Sequence, residues 1–166
     1  RVIGVLKDGR RFLLMTHEDP DADGLGSMLA FGKSLSDLGK EVALLIQKPL
    51  NPPLVLLKGT ERMRVVSKRG GVSEFEKDFD VVVALDCAEK ERLGVCVSVW
   101  SSGGATINID HHETNTFFGQ YNLVDANSSS TGELVYRLIR TGDFPMDPEI
   151  AENLFTAIQS DTGSFR

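Results

Sequence analysis

The segment FDVVVALD, residues 79–86, constrains the fold more than any other part of the chain. Successive side chains of a strand point to opposite faces, so the apolar run from Val81 to Leu85 leaves neither face polar. Such a strand has to be covered on both sides, as happens in parallel sheets whose crossover helices pack on both faces. RFLLMT, EVALLI and ATINID read as further strands, RMRVV as a weak one and YNLVD as a short edge strand. Helical spacing recurs from Ser27 to Leu38 (Met28, Leu29, Phe31, Leu35 and Leu38), with Gly39 as the stop. It recurs again over Thr131–Arg140 and Pro148–Gln159. Short helices are expected after the proline-marked PLNPPLVLLKG and at ERLG. Strand and helix alternate, so the expected fold is α/β, a parallel sheet flanked by helices on both faces.

In such sheets ligands sit beyond the carboxyl ends of the strands. Three apolar strands here run into polar residues at that end: LLMTHEDPDAD, VVVALDC and INIDHH. The first, extended to THEDPDADGLGS, crowds His17, Asp21 and Asp23 around Pro20, with Gly24 and Gly26 expected to turn a loop and Ser27 to start the helix. Taken alone, it reads first as a solvated Asx turn capping that helix. Asp86 follows the most apolar strand, where an acid lies just outside the sheet or is buried with a partner. Asp110, His111 and His112 leave another strand, and each of the chain's 3 histidines stands beside an acid at a strand end. Neighbours leaving a strand point opposite ways, so one histidine can meet a metal while the other meets a substrate. Asp161 closes a helical run, where the helix dipole disfavours an acid.

Imidazole and carboxylate together suit a divalent metal such as Mn²⁺. Asp86 and the loop and helix-end residues supply enough ligands for two cations roughly 3.5–4 Å apart, which would lower the pKa of a bound water and clamp phosphoryl oxygens. Cation charge would offset the repulsion among the acids; without it, some of them should take up protons. SSSTGE reads as a capped helix start supported by Glu133, and such a terminus can also receive phosphate.

Composition sets outer bounds. The 166 residues suffice for one domain, and a hydrophobic content of 41% is that of a globular chain. The formal charge of −6 argues against a broad basic groove, though a metal pair would return about four positive charges. No apolar run approaches the roughly 20 residues of a membrane span. RVIGVLKDGRR lacks the pattern of a signal peptide, so Cys87 and Cys96 are expected as reduced thiols in a cytoplasmic protein that does not engage membranes. Arg62, Arg64, Lys68 and Arg69 read as a solvated basic face. Phe117, Phe118 and Tyr121 read as edge-strand packing ahead of base stacking.

The chain resembles the DHH phosphoesterase family. HEDPDADGLGS matches the first motif, His-x-x-Pro-Asp-x-Asp-x-x-Gly-Ser, at every fixed position; ALDCA resembles the second, IDHH the third and SDTGSF the fourth, in order and over nearly the whole chain. The resemblance implies that His17, Asp21 and Asp86 hold one Mn²⁺, and that Asp23, Asp86, His111 and Asp161 hold the other, with Asp86 bridging and Mg²⁺ as an alternative ion. It implies that His112 contacts the scissile phosphate and that Asp110 orients the neighbouring histidines. DHHETNTFFGQYNLVDANSSSTGELVYRLI resembles the nano-RNase group, which degrades short oligoribonucleotides and in many cases dephosphorylates 3′-phosphoadenosine 5′-phosphate. A cyclic-dinucleotide phosphodiesterase, a family II-type pyrophosphatase and a non-catalytic metal- or nucleotide-binding module are the alternatives. Residues 1–166 are expected to form the catalytic domain, without the C-terminal substrate-binding domain of the DHHA1 type. That loss should spare metal binding and weaken substrate binding. A homodimer is allowed for.

Overall fold

The computed structural model describes residues 1–66, 79–102 and 104–166. Its strands are β1 (Arg11–Met15), β2 (Glu41–Ile46), β3 (Met63–Val65), β4 (Val81–Leu85), β5 (Ala105–Asp110) and β6 (Tyr121–Val124). They form one sheet in the order β3-β2-β1-β4-β5-β6, and every pairing is parallel. The chain winds outward from β1 to β3, then returns to the other side of β1 to lay down β4, β5 and β6. The strand order therefore reverses between β1 and β4, where open α/β sheets form a crevice at the carboxyl ends of their strands.

Alternation along the strands fills two cores. Phe12 and Leu14 of β1, Val81, Val83 and Leu85 of β4, and Ile107 and Ile109 of β5 face α2 (Ala22–Asp37), α4 (Thr131–Gly142) and α5 (Pro148–Asp161). Leu6 of α1 (Val2–Asp8) is buried in the same core. Leu13, Met15, Val82 and Ala84 face the other way, onto Leu93 and Cys96 of a 3-10 segment and Val99 and Trp100 of α3 (Val97–Ser102). The sheet is thus covered on both faces, as the uninterrupted apolar run of β4 requires.

Several expectations need correction. Helix α2 begins at Ala22 and not at Ser27, because Asp21 is its N-cap, accepting from the Gly24 amide at 3.0 Å. Gly24 and Gly26 are therefore helical. They keep the helix surface bare where other chain segments press on it: a Cβ on Gly24 would lie 2.5 Å from Thr16 Oγ1, and one on Gly26 would lie 2.6 Å from the Asn153 carbonyl. Helices α1 and α3 were not anticipated; at 7 and 6 residues they are too short for periodicity, and packing decides them. Helix α5 runs on to Asp161.

Arg62 is hydrogen-bonded to Glu149, which removes it from a freely solvated patch; Lys68 and Arg69 lie outside the described residues. Both cysteines are free and buried. Burial pushes the Cys87 thiol up to about 12, so it packs as a small apolar group and not as a thiolate. No helix among the described residues is long and apolar enough to cross a membrane.

Candidate metal centre

The three strand ends meet at the reversal point. Asp86 directly follows β4 with φ +55, a left-handed conformation that aspartate adopts more readily than most residues, and its amide still bonds the Ile109 carbonyl at 2.9 Å. This turn lifts the carboxylate above the strand ends. Its Oδ2 is 3.7 Å from His17 Nε2, and its Oδ1 is 3.9 Å from His111 Nε2 and 3.8 Å from His112 Nδ1. His111 Nε2 also lies 3.2 Å from Asp161 and 3.8 Å from Asp23. Asp21 lies within 4.8 Å of His17 and Asp86 by its ligand atom, so all six anticipated metal ligands are brought together from four separate segments of the chain.

Helix packing places the two acids that are not at strand ends. Gly26 of α2 meets Ala157 of α5, while Gly132 of α4 meets the same Ala157. The absence of side chains at both glycines lets the three helices close on one another, and Asp161 at the end of α5 then reaches His111. Burial raises the Asp161 carboxyl above its usual range, and the His111 imidazole offsets only part of that. Asp23, in the first turn of α2, is fully buried. Its oxygens accept from the amides of Thr131 at 2.7 Å and Gly132 at 2.9 Å, the opening residues of α4. This pairing overturns phosphate reception at SSSTGE. The Thr131 and Gly132 amides are taken by Asp23 and that of Glu133 by Ser130 Oγ, while Glu133 reaches back to the Ser129 amide at 2.7 Å.

The side chains around the site settle which atoms face it. His111 Nδ1 points to the Ser128 carbonyl at 3.4 Å, leaving Nε2 turned toward the carboxylates. His112 Nδ1 is bonded to Asp110 Oδ1 at 2.7 Å. Asp110 thus orients His112 alone and not both histidines. Its other oxygen accepts from Asn115 Nδ2 at 2.6 Å, and Asn115 is bonded in turn to Asn108 at 2.8 Å.

Electrostatics divides the acids. Burial, and next the charge of Asp86, pushes Asp23 up to about 8 despite its two backbone hydrogen bonds. Burial opposes ionisation of Asp86 too, but His17, His112 and the Thr131 hydroxyl outweigh it and hold that carboxyl below its usual range. The proton of this pair therefore sits on Asp23. The hydrogen bond to Asp110 raises His112 to about 9, so its imidazolium persists at neutral pH.

Three sets of ligand atoms lie within 4.8 Å of one another: His17, Asp21 and Asp86; Asp23, His111 and Asp161; and Asp86, His111 and His112. Oxygen and imidazole donors of this kind suit a divalent cation, and a buried carboxylate driven to hold a proton is what such a set does when the cation charge is missing. Glu18 and Asp19 are exposed, and Asp19 pairs with Lys48.

Sequence reasoning missed several contributors. Thr131 Oγ1 donates to Asp86 at 3.0 Å, Arg92 Nη2 stands 3.3 Å from His17 Nδ1, and Asn115 holds Asp110. Thr131 and Asn115 lie inside stretches already singled out, SSSTGE and DHHETN, but nothing local marks which atom of either faces the site.

The profile of the DHH family, N-terminal domain, matches residues 11–158. The chain belongs to the DHH family. It is 38% identical over 157 residues to the bifunctional oligoribonuclease and PAP phosphatase NrnA of Thermus thermophilus, covering 92% of this chain and 44% of that protein. Among solved structures it is similar to an exopolyphosphatase-related protein from Bacteroides fragilis, with a TM-score of 0.90 and 26% identity over 99% of this chain and 49% of that one. It shares the fold of the exonuclease RecJ, with a TM-score of 0.53 and 21% identity over 96% of this chain and 41% of that one. The chain thus spans about half the length of the proteins it matches.

Proposed function

We propose that this chain carries the catalytic centre of a metal-dependent phosphoesterase that hydrolyses short oligoribonucleotides and nucleotide phosphomonoesters such as PAP, with two Mn²⁺ ions. The observation that carries the reading is Asp86, whose two oxygens face opposite ligand sets and can be shared between two cations. His17, Asp21 and Asp86 would hold one ion; Asp23, Asp86, His111 and Asp161 would hold the other. When bound, such a pair supplies an activated water at neutral pH and charge to stabilise phosphoryl oxygens.

The remaining steps belong to the chain's own side chains. His112, held protonated by Asp110 through Nδ1 and only partly buried, would use its Nε2–H to donate to a phosphoryl oxygen or to the departing oxygen of the ester. Asp110 fixes that ring, and Asn115 fixes Asp110. The name of the Thermus relative supports oligoribonucleotides and PAP as substrates. The name of the Bacteroides neighbour favours a second reading, hydrolysis of condensed phosphates.

The test is hydrolysis of a diribonucleotide, PAP and pyrophosphate by the full chain with Mn²⁺, beside Asp86→Ala. Cleavage of the first two, lost in the variant, is expected. If none of the three is cut, or if the variant retains activity, the reading fails; cleavage of pyrophosphate alone selects the second one.

A further inference from the structure

The structure separates the three aromatic residues that follow the paired histidines. Phe118 packs on Trp100, ring centroids 5.0 Å apart, in the second core. Tyr121 starts the edge strand β6 and rests on the first core. Phe117 does neither: it is 61% exposed, and its backbone has φ +54. Bulky side chains rarely adopt that left-handed conformation, and where they do the surrounding structure has to impose it.

What imposes it is the network of the metal centre. The Phe117 amide donates to Asn115 Oδ1 at 2.7 Å, and Asn115 Nδ2 holds Asp110, the partner of His112. On the preceding residue, the Thr116 amide and hydroxyl both bond the carbonyl of Ala88, two residues after Asp86, at 2.9 and 3.2 Å. The Asn115 amide bonds the His112 carbonyl at 3.2 Å. An apolar ring is thus held outward, at a strained position, on a loop clamped to two of the strand ends that carry the site. No packing within the described residues accounts for that exposure.

Resting on the phosphoesterase reading above, we propose that Phe117 is a stacking platform for a nucleobase of the substrate and makes the site selective for base-bearing phosphoesters over base-free phosphates. A flat ring stacks any base, so it gives tolerance of base identity together with rejection of substrates that have none. The pinned loop removes the ordering cost that a free aromatic side chain would bring to binding. The ring needs to touch no reacting atom, so its effect falls on binding and not on the chemical step.

The test compares Phe117→Ala and Phe117→Trp in the full chain, loaded with Mn²⁺. Calorimetric binding of adenosine 5′-monophosphate is set against ribose 5-phosphate, with KM and kcat for a diribonucleotide alongside. The parent should prefer the base-bearing ligand by about 5- to 100-fold, the range that one base–aromatic stack supplies. Phe117→Ala should remove most of that preference, leave ribose 5-phosphate and Mn²⁺ binding unchanged, and raise KM with little change in kcat; Phe117→Trp should restore it. Equal weakening of both ligands, or none, overturns the platform, as does failure of the parent to prefer the base. Since the preference is read by binding, its loss in Phe117→Ala would stand even if no substrate were cut. Conversely, an active parent with an unaffected Phe117→Ala refutes the platform and leaves the phosphoesterase reading intact.

Discussion

Asp23 makes metal binding depend on pH in a direction that can be worked out. Its side chain is fully buried, and burial together with the neighbouring Asp86 pushes its pKa up to about 8 from 3.8 in an unstructured chain. The metal-free folded state therefore holds a proton that the unfolded state releases. The resulting stability is fully present below the unfolded pKa and is lost as pH rises through the folded one. His112, raised to about 9, acts in the same direction at the upper end, because its imidazolium is stabilised only in the folded state. Metal-free protein should accordingly lose thermal stability from pH 5 to pH 8. A cation on Asp23 has to expel the proton, which at pH 7 occupies the group about nine-tenths of the time. Mn²⁺ binding should then release about one proton at pH 7, and affinity for the second ion should rise about tenfold per pH unit up to about pH 8. Calorimetry at pH 6, 7 and 8 in two buffers of different ionisation enthalpy reads the proton count directly. Asp23→Asn should abolish the release while retaining one ion, held by His17, Asp21 and Asp86. Release of less than roughly a third of a proton at pH 7, or metal-free stability that climbs between pH 5 and 8, would refute the reasoning.

Three further substitutions probe separate parts of the site. Asp21→Asn keeps an N-cap for α2, so stability should change by less than about 0.5 kcal/mol while Mn²⁺ affinity falls about tenfold or more; denaturant unfolding and a metal titration separate the two roles of this residue. Gly24→Ala puts a methyl group 2.5 Å from Thr16 Oγ1 and 3.1 Å from Asp86 Oδ2, so it should cost about 1–3 kcal/mol and displace the shared carboxylate, seen as weaker binding of both ions. Asn115→Ala removes the donor to Asp110 and the acceptor of the Phe117 amide, which should cost about 2 kcal/mol, or roughly 4–8 °C in Tm. Its activity should fall with the His112 pKa moving, read from the acid and alkaline limbs of the pH–rate profile.

Much of the architecture follows from local pattern. The unbroken apolar run of β4 demands cover on both faces, and strand–helix alternation supplies it, so a parallel sheet with an acid or histidine beyond each central strand can be read from residue order alone. The four motifs name the six candidate ligands. Short elements and exact starts were less legible. Helix α2 hid its first turn because Asp23, Gly24 and Gly26 face the site and α5 and carry no apolar periodicity. Asp23 and the start of α4 each looked self-sufficient, one as a ligand and the other as a capped helix. Only folding showed that 108 residues of sequence separation close into one hydrogen bond, which removes the helix terminus as a phosphate receptor.

The same division holds among the aromatics. Phe117 and Phe118 are adjacent and chemically identical in sequence, yet one is buried against Trp100 and the other is turned outward. The sequence by itself determined which residue types stand at which strand ends, because period and polarity are properties of neighbours along the chain. The tertiary structure decided which oxygen of Asp86 faces which histidine, which acid keeps the proton and which ring meets solvent. Those outcomes depend on burial and on partners brought from distant segments, and neither is encoded in any local window.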